Sequence, residues 1–325
     1  MDATKSLRAI AREVLGREDI ACLIGYEKGS YGFRAQPCVL TEPDQADRLI
    51  FSPLCVHNLT NYLTLEQIGP LSKADIGKGK IAVVVKGCDS RAITVLCAEN
   101  GIKRENLYVI GVHSPGVVDL KKIERRFPNA VEPAEVSLEG DSFTITCEGE
   151  TASVPRSELV NAKCLRCKNN VPQGCDVVVE GPEHSMEDDF ADIAALEAKP
   201  LEERAHMWQE QFSSCIRCYA CRNSCPLCYC SECILDKLRP QFVRRSVDFP
   251  ENLLFHSARA FHLAGRCIEC GECERVCPQD IPLMVLNRKL ARDVKELFGY
   301  EAGADPEQKA LFVTFKPDDP NEGIL

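Results

Sequence analysis

The sequence predicts two parts of different class: an α/β N-terminal domain with a largely parallel sheet and a small antiparallel excursion, then an α-helical domain dense in cysteine. Three observations predict this. Two apolar runs, Ile81–Val85 (IAVVV) and Leu107–Val112 (LYVIGV), each lead towards a helical pattern. A continuous apolar run is what a strand buried on both faces requires, and strand, helix, strand, helix in sequence implies crossover connections in a parallel sheet. Residues 131–154 alternate polar and apolar around Glu139-Gly140-Asp141 and Glu148-Gly149, which reads as antiparallel strands joined by tight turns. Finally, 11 of the 20 cysteines fall between Cys215 and Cys277. That contrast sets a boundary near residue 198, dividing the chain into 1–198 and 199–325.

Within the first part, Leu49–Phe51 is a short apolar run, and Val56, Leu59, Leu63 and Leu65 follow at helical spacing. Ile24–Gly32 reads as a loop, with contact to a flavin or an anionic ligand as the alternative. Gly77-Lys78-Gly79 precedes a strand, so it is not a phosphate cradle. Ile81–Val85 passes through Lys86-Gly87-Cys88 into a helix from about Ser90 to Glu99, capped by Asp89 or Ser90. A helix over Leu120–Arg126 follows Leu107–Val112. Ala191–Phe212 reads as two helical segments broken at Pro200. The second part has helical patches at Ile234–Leu238, Phe242–Val247 and Ser257–Leu263, then a helix after Ile281 ending near Gly299. The last residues carry Pro and Asp and predict an extended tail suited to wrapping a partner.

Composition excludes several classes. The chain has 325 residues, 45% hydrophobic and 27% charged, so a packed core is feasible and global disorder is not expected. A formal charge of -10 makes nucleic acid and anionic membrane surfaces poor partners. No run approaches the length of a membrane span, and the start mixes acidic and basic residues instead of an apolar signal segment, so a cytoplasmic protein without membrane insertion is expected. Disulfide frameworks belong to small secreted chains; this many cysteines in a chain of this kind points to metal or redox chemistry.

The strongest motif is duplicated. Cys215, Cys218, Cys221 and Cys225-Pro226 have the spacing C-x2-C-x2-C-x3-C-P, and Cys267, Cys270, Cys273 and Cys277-Pro278 repeat it. This is the bacterial ferredoxin run for [4Fe-4S] clusters, in which three cysteines hold one cluster and the fourth ligates the other. The expected sets are therefore Cys215, Cys218, Cys221 and Cys277 for one cluster, and Cys267, Cys270, Cys273 and Cys225 for the other. Zinc ribbons use pairs of cysteines instead of runs of four. The helical filler between the runs resembles the α-helical ferredoxins of heterodisulfide reductase and succinate dehydrogenase iron–sulfur subunits. Cys228, Cys230 and Cys233 follow at once; they either begin a fourth cluster or pack beside the first two and tune them.

The first part has its own set. Cys88 follows a buried strand and precedes a helix, and Cys55 stands in a similar place before the pattern from Val56. Helix N-termini favour thiolate, and the carboxyl ends of strands in an open sheet are where cofactors sit. Cys164-Leu-Arg-Cys167 adds a pair flanked by Lys163, Arg166 and Lys168. Cys55, Cys88, Cys164 and Cys167 are candidates for a third [4Fe-4S] cluster, with Cys175 and Cys38 in reserve and a zinc site as the alternative. Cys22, Cys97 and Cys147 are expected in cores. The six histidines form no pair at metal spacing.

Val85-Lys-Gly-Cys88-Asp-Ser-Arg-Ala-Ile93, the Cys164/Cys167 pair and Cys55-Val-His-Asn-Leu-Thr-Asn-Tyr-Leu63 together resemble the β-subunit family of deazaflavin-dependent hydrogenases and formate dehydrogenases. The block Cys215–Cys233, Arg266–Cys273, Asn287-Arg-Lys and Phe298–Gly303 resembles the branch of that family with a C-terminal dicluster ferredoxin domain. Its members occur beside heterodisulfide-reductase-like flavoproteins. The resemblance implies an iron–sulfur electron-transfer subunit that relays electrons between a catalytic hydrogenase or dehydrogenase subunit and such a flavoprotein, in a complex that can bifurcate electrons. Full-length members bind FAD, so the rival expectation is a flavoenzyme subunit exchanging hydride with a deazaflavin or nicotinamide. A zinc-stapled scaffold is the non-redox alternative.

Overall fold

The computed structural model describes residues 3–65, 67–68, 71–72, 79–181 and 188–311. Gly77 and Lys78 of the glycine–lysine segment, His184, and residues 312–325 of the expected tail lie outside these. The chain divides into two units: Met1–Ile93 with Asn100–Asp188, and Thr94–Glu99 with Asp189–Leu325. Among the described residues, no helix is long and apolar enough to cross a membrane.

The first unit opens with helix α1 (Ala3–Leu15), which buries Leu7, Ala11, Val14 and Leu15 at helical spacing. Strand β1 (Ile20–Lys28) turns through Gly29–Gly32 into the antiparallel β2 (Ala35–Leu40), with Leu23 opposite Leu40. Ile24–Gly32 is therefore strand and turn rather than an open loop. Its apolar residues Leu23 and Ile24 and the buried Tyr26 are consecutive enough to build a strand covered on both faces. The pattern from Val56 gives a 3-10 helix, Leu59–Thr64, capped by the Asn58 side chain accepting from the Thr60 N–H. Cys55 accordingly sits in a turn and not at an α-helix start.

Strand β3 (Lys80–Val85) pairs parallel with β1, and β4 (Leu107–Val112) pairs parallel with β3. Ala82 to Val85 are fully buried at the sheet centre, which explains the unbroken apolar run. Helix α2 (Gly87–Ala98) makes the crossover, and Asp89 accepts from the Lys86 N–H at its start. Helix α3 (Leu120–Arg126) is capped by Asp119. Then comes the three-stranded antiparallel sheet β5 (Glu135–Glu139), β6 (Ser142–Cys147) and β7 (Glu150–Pro155), closed over Val136, Phe143, Ile145 and Val154. Its turns use Gly140 and Gly149 at positive φ. β8 (Val177–Val179) returns parallel to β4, giving the order β8-β4-β3-β1-β2. The α/β class, with mostly parallel pairing and an antiparallel excursion, matches the expectation.

The second unit is helical. Helix α4 (Ala191–Glu197) precedes Pro200, which starts α5 (Leu201–Ser213). Helix α6 (Phe249–His262) begins earlier than the sequence pattern suggested, because Asp248 caps it and Pro250 fits its first turn. Phe242–Val247 is not helical: Phe242 and Val247 are exposed, and Val243 alone joins the core. Helix α7 (Leu283–Phe298) ends on Gly299 at φ 60. The core combines Phe212, Leu235, Val243, Phe255, Ile281, Leu283 and Met284 with the thiols of Cys221, Cys273 and Cys277. Arg288, 1% exposed, pairs with Asp192 of α4 and with Glu269, and lies over the Phe190 ring. These pairs tie α4 and the second cysteine run to α7.

Gly87 marks a close approach in the first unit: a Cβ there would fall 1.6 Å from the Asn169 carbonyl oxygen. Gly87→Ala therefore has to push the loop after Cys167 off the start of α2. A loss of about 2 kcal/mol or more is expected, read as a lower denaturation midpoint of the full chain.

Candidate metal centres

The two cysteine runs share one backbone form. Arg217 (φ 51) and Tyr219 (φ 60) in the first, and Glu269 (φ 58) and Gly271 (φ 68) in the second, are left-handed. Tyr219 and Gly271 each lead into a one-turn helix, Ala220–Asn223 and Glu272–Arg275. Left-handed residues between successive cysteines coil each run tightly. Three of the four are not glycine, a conformation that persists only where its surroundings hold it. Asn252 of α6 does so for the first run. Its side-chain amide donates to the carbonyls of Phe212 and Cys215, both at 2.9 Å, and its oxygen accepts from Arg217 Nε at 2.9 Å.

Two cavities result. One, about 330 Å³, is lined by Cys215, Cys218 and Cys221 of the first run and Cys277 of the second, against Phe255, Ile281 and Leu283. The other, about 310 Å³, is lined by Cys267, Cys270 and Cys273 of the second run and Cys225 of the first, against Leu263, Ile268 and Met284. Each run thus supplies three cysteines to one cavity and its fourth to the other. Pro278 and Pro226 accompany the exchanged cysteines into the same cavities. Among the described residues, no three His, Cys, Asp or Glu side chains are gathered for a single metal ion. The thiols instead ring voids of similar size, as two copies of one polyatomic cluster need.

Burial pushes the Cys221 thiol up to about 11 and Cys273 to about 12, and lifts Cys267 well above the ordinary thiol value. Cys225 is raised by its hydrogen bond with Cys228 and then by burial, while the same bond lowers Cys228. Without a metal Cys221, Cys225, Cys267 and Cys273 keep their protons at neutral pH, so loading must release protons. His256 Nε2 lies 3.3 Å from Cys215 Sγ, with its ring stacked on Phe212 at 4.7 Å. Burial, with Arg259 and Arg217 nearby, lowers its pKa to about 4. A neutral imidazole next to a thiolate donates from Nε2, leaving Nδ1 as the acceptor. Asn287 donates to Cys273 Sγ at 3.5 Å in the second cavity.

Cys228, Cys230 and Cys233 do not share one surrounding. Cys228 couples to Cys225, Cys233 caps the 3-10 helix Ile234–Asp236 beside Arg222, and Cys230 is exposed. In the first unit, Cys164 accepts from the Val117 N–H at 3.4 Å, and Cys167 lies near Cys164, Lys163 and Arg91. The approach of Asn169 to Gly87 sets this segment beside the start of α2, which carries Cys88. Cys55 is fully buried, its thiol accepts from the Ser52 N–H at 3.4 Å, and burial pushes it up to about 11. Lys86 lies near both Cys55 and Cys88, and it is held by Asp89, Tyr26 and the His57 carbonyl. Cys175 meets Gly111 and Arg104, and Cys38 lies in β2.

Residues 214–282 match the family model described as a 4Fe-4S dicluster domain. The C-terminal helical region carries a 4Fe-4S dicluster domain. The chain as a whole is 24% identical over 365 aligned positions to the F420-dependent formate dehydrogenase subunit beta of Methanocaldococcus jannaschii, spanning 94% of this chain and 93% of that protein. It is 27% identical over 300 positions to the F420-dependent formate dehydrogenase 1 subunit beta of Methanococcus maripaludis, spanning 74% and 77%. These relatives bear out the expected formate dehydrogenase β-subunit likeness. Among solved structures, the F420-reducing [NiFe] hydrogenase complex from Methanosarcina barkeri matches at 15% identity and a TM-score of 0.42, covering 66% of this chain and 89% of that one.

Spacing of cysteines did not reveal Asn252, His256 or Arg259 around the dicluster domain. The available signal was polar residues at i, i+4 and i+7 of a helix, interleaved with the apolar Phe255 and Leu263 that face the core. Asn252→Ala leaves two buried carbonyls and the Arg217 guanidinium short of partners, at an expected cost of about 2–4 kcal/mol. The check is the denaturation midpoint of the full chain.

Proposed function

We propose that this chain is an iron–sulfur electron-transfer subunit of a formate dehydrogenase- or hydrogenase-type oxidoreductase. The observation that carries the reading is the pair of cavities, each lined by four cysteines drawn from both runs. Cys215, Cys218, Cys221 and Cys277 are proposed to hold one [4Fe-4S] cluster, and Cys267, Cys270, Cys273 and Cys225 the other. Such clusters supply one-electron carriage without bond chemistry. The chain's residues shape that capacity. Apolar walls keep water off the sulfurs, and His256 and Asn287 offer hydrogen bonds that stabilise added negative charge. Cys218 is exposed, which puts one rim of the first cavity at the surface where electrons can be exchanged with a partner.

A third cluster is proposed on Cys88, Cys164 and Cys167 with Cys55, supported by the C-x2-C pair and its approach to the start of α2. Cys228, Cys230 and Cys233 are proposed to pack beside the dicluster site and not to hold a fourth cluster, since their surroundings differ. The partners are proposed to be a catalytic dehydrogenase or hydrogenase subunit and a heterodisulfide-reductase-like flavoprotein, in a cytoplasmic, electron-bifurcating assembly; the sequence resemblance supports this. The F420 dependence in the relatives' names favours a second reading, a flavoenzyme exchanging hydride with a deazaflavin. No residue is assigned to FAD.

Anaerobic reconstitution of the full chain should give about 12 iron and 12 acid-labile sulfide, and about 8 of each when Cys55, Cys88, Cys164 and Cys167 are all replaced by Ser, from cubane stoichiometry. Stoichiometric flavin in chain purified from native cells would replace the relay reading with the flavoenzyme. Zinc without sulfide would overturn both.

A further inference from the structure

Arg259 stands on α6 between the two cavities. It is 4% exposed. Its Nη2 donates to the carbonyl of Cys221, a residue of the first cavity, at 3.0 Å, while the side chain lines the second cavity. Its guanidinium also hydrogen-bonds with the Cys228 thiol, while its Nε–H is buried and has no acceptor among the described residues. No carboxylate pairs with it there either. The acidic residues nearest the second run are taken: Glu272 pairs with Arg275 at 2.7 Å, and Glu269 with Arg288 at 2.5 Å. Burial works against the guanidinium charge, but a guanidinium does not give up its proton inside a protein, so Arg259 stays a cation. A buried cation with no carboxylate and an idle donor is costly unless something negative occupies the space beside it.

We propose that Arg259 sets the reduction potential of the cluster held in the second cavity, by placing a positive charge that no carboxylate neutralises and an unused Nε–H against it. This rests on the dicluster reading. Reduction takes one electron from a low-potential donor such as a reduced viologen, which is oxidised by one electron. No bond breaks and no proton is needed. A [4Fe-4S] core with four thiolates goes from about −2 to about −3, so attraction to a fixed cation grows on reduction and the potential rises. The first cavity has a guanidinium of its own, Arg217, held by Asn252. Loss of Arg259 should therefore fall mainly on one cluster.

The test is an EPR-monitored redox titration of the anaerobically reconstituted full chain with viologen mediators. Arg259→Gln should lower the reduction equilibrium constant of one cluster by about tenfold or more, which is about 59 mV for a one-electron couple, with iron content unchanged and the other cluster moved less. Arg259→Lys, which keeps the charge, should restore most of the shift. Unchanged potentials in Arg259→Gln, or an equal fall in Arg259→Lys, overturn the proposal. So does loss of iron in both Arg259→Gln and Arg259→Met, which would make the residue a scaffold. A wild-type chain without two reducible clusters would instead overturn the dicluster reading itself.

Discussion

Exchange of the fourth cysteine between the two runs is the constraint on which the second unit depends. Three thiols at two-residue gaps turn to one void, and the three-residue gap with its proline sends the next thiol to the other. Neither cavity is complete without both runs, so the 41 residues between Cys225 and Cys267 must bring the runs face to face. Helix α6 performs that task. Its apolar Phe255 walls the first cavity, Asn252 ties down the backbone of the first run, and Arg259 reaches from one cavity to the other.

Buried polar groups then decide what the cavities can do. An apolar core of this size would be more stable with Leu or Met at positions 256, 259 and 287, since each polar group there gives up hydration. His256 and Asn287 recover part of that through cysteine sulfur, and Arg259 keeps an unused N–H. Negative charge in the voids, as the proposed clusters would bring, offsets that cost. The same logic separates the triplet: Cys228 hydrogen-bonds with Cys225, a residue of the second cavity, whereas Cys230 faces solvent.

Much of the fold was legible in the sequence. Ile81–Val85, Leu107–Val112 and Leu120–Arg126 gave clean signals because burial on both faces, or a capped amphipathic turn, leaves a continuous pattern. The three strands over 135–155 were legible from alternation and glycine turns. The β1–β2 hairpin was missed because Gly25, Gly29 and Gly32 suggested a loop; Gly25 in fact sits where a Cβ would collide with Leu49. Phe242–Val247 looked helical by apolar spacing, but most of it faces solvent. In the site, cysteine spacing carried the two thiol sets, while the helix residues that serve them left only the polar positions 252, 256 and 259 beside the core residue Phe255, which do not say what they contact.

The crossed assignment is tested most directly by EPR of single serine variants of the reconstituted chain. The two clusters are first distinguished by Cys218→Ser and Cys270→Ser, each of which perturbs one. Cys277→Ser should then perturb the cluster altered by Cys218→Ser, and Cys225→Ser the cluster altered by Cys270→Ser. The opposite pairing, with each fourth cysteine serving its own run, would contradict the account.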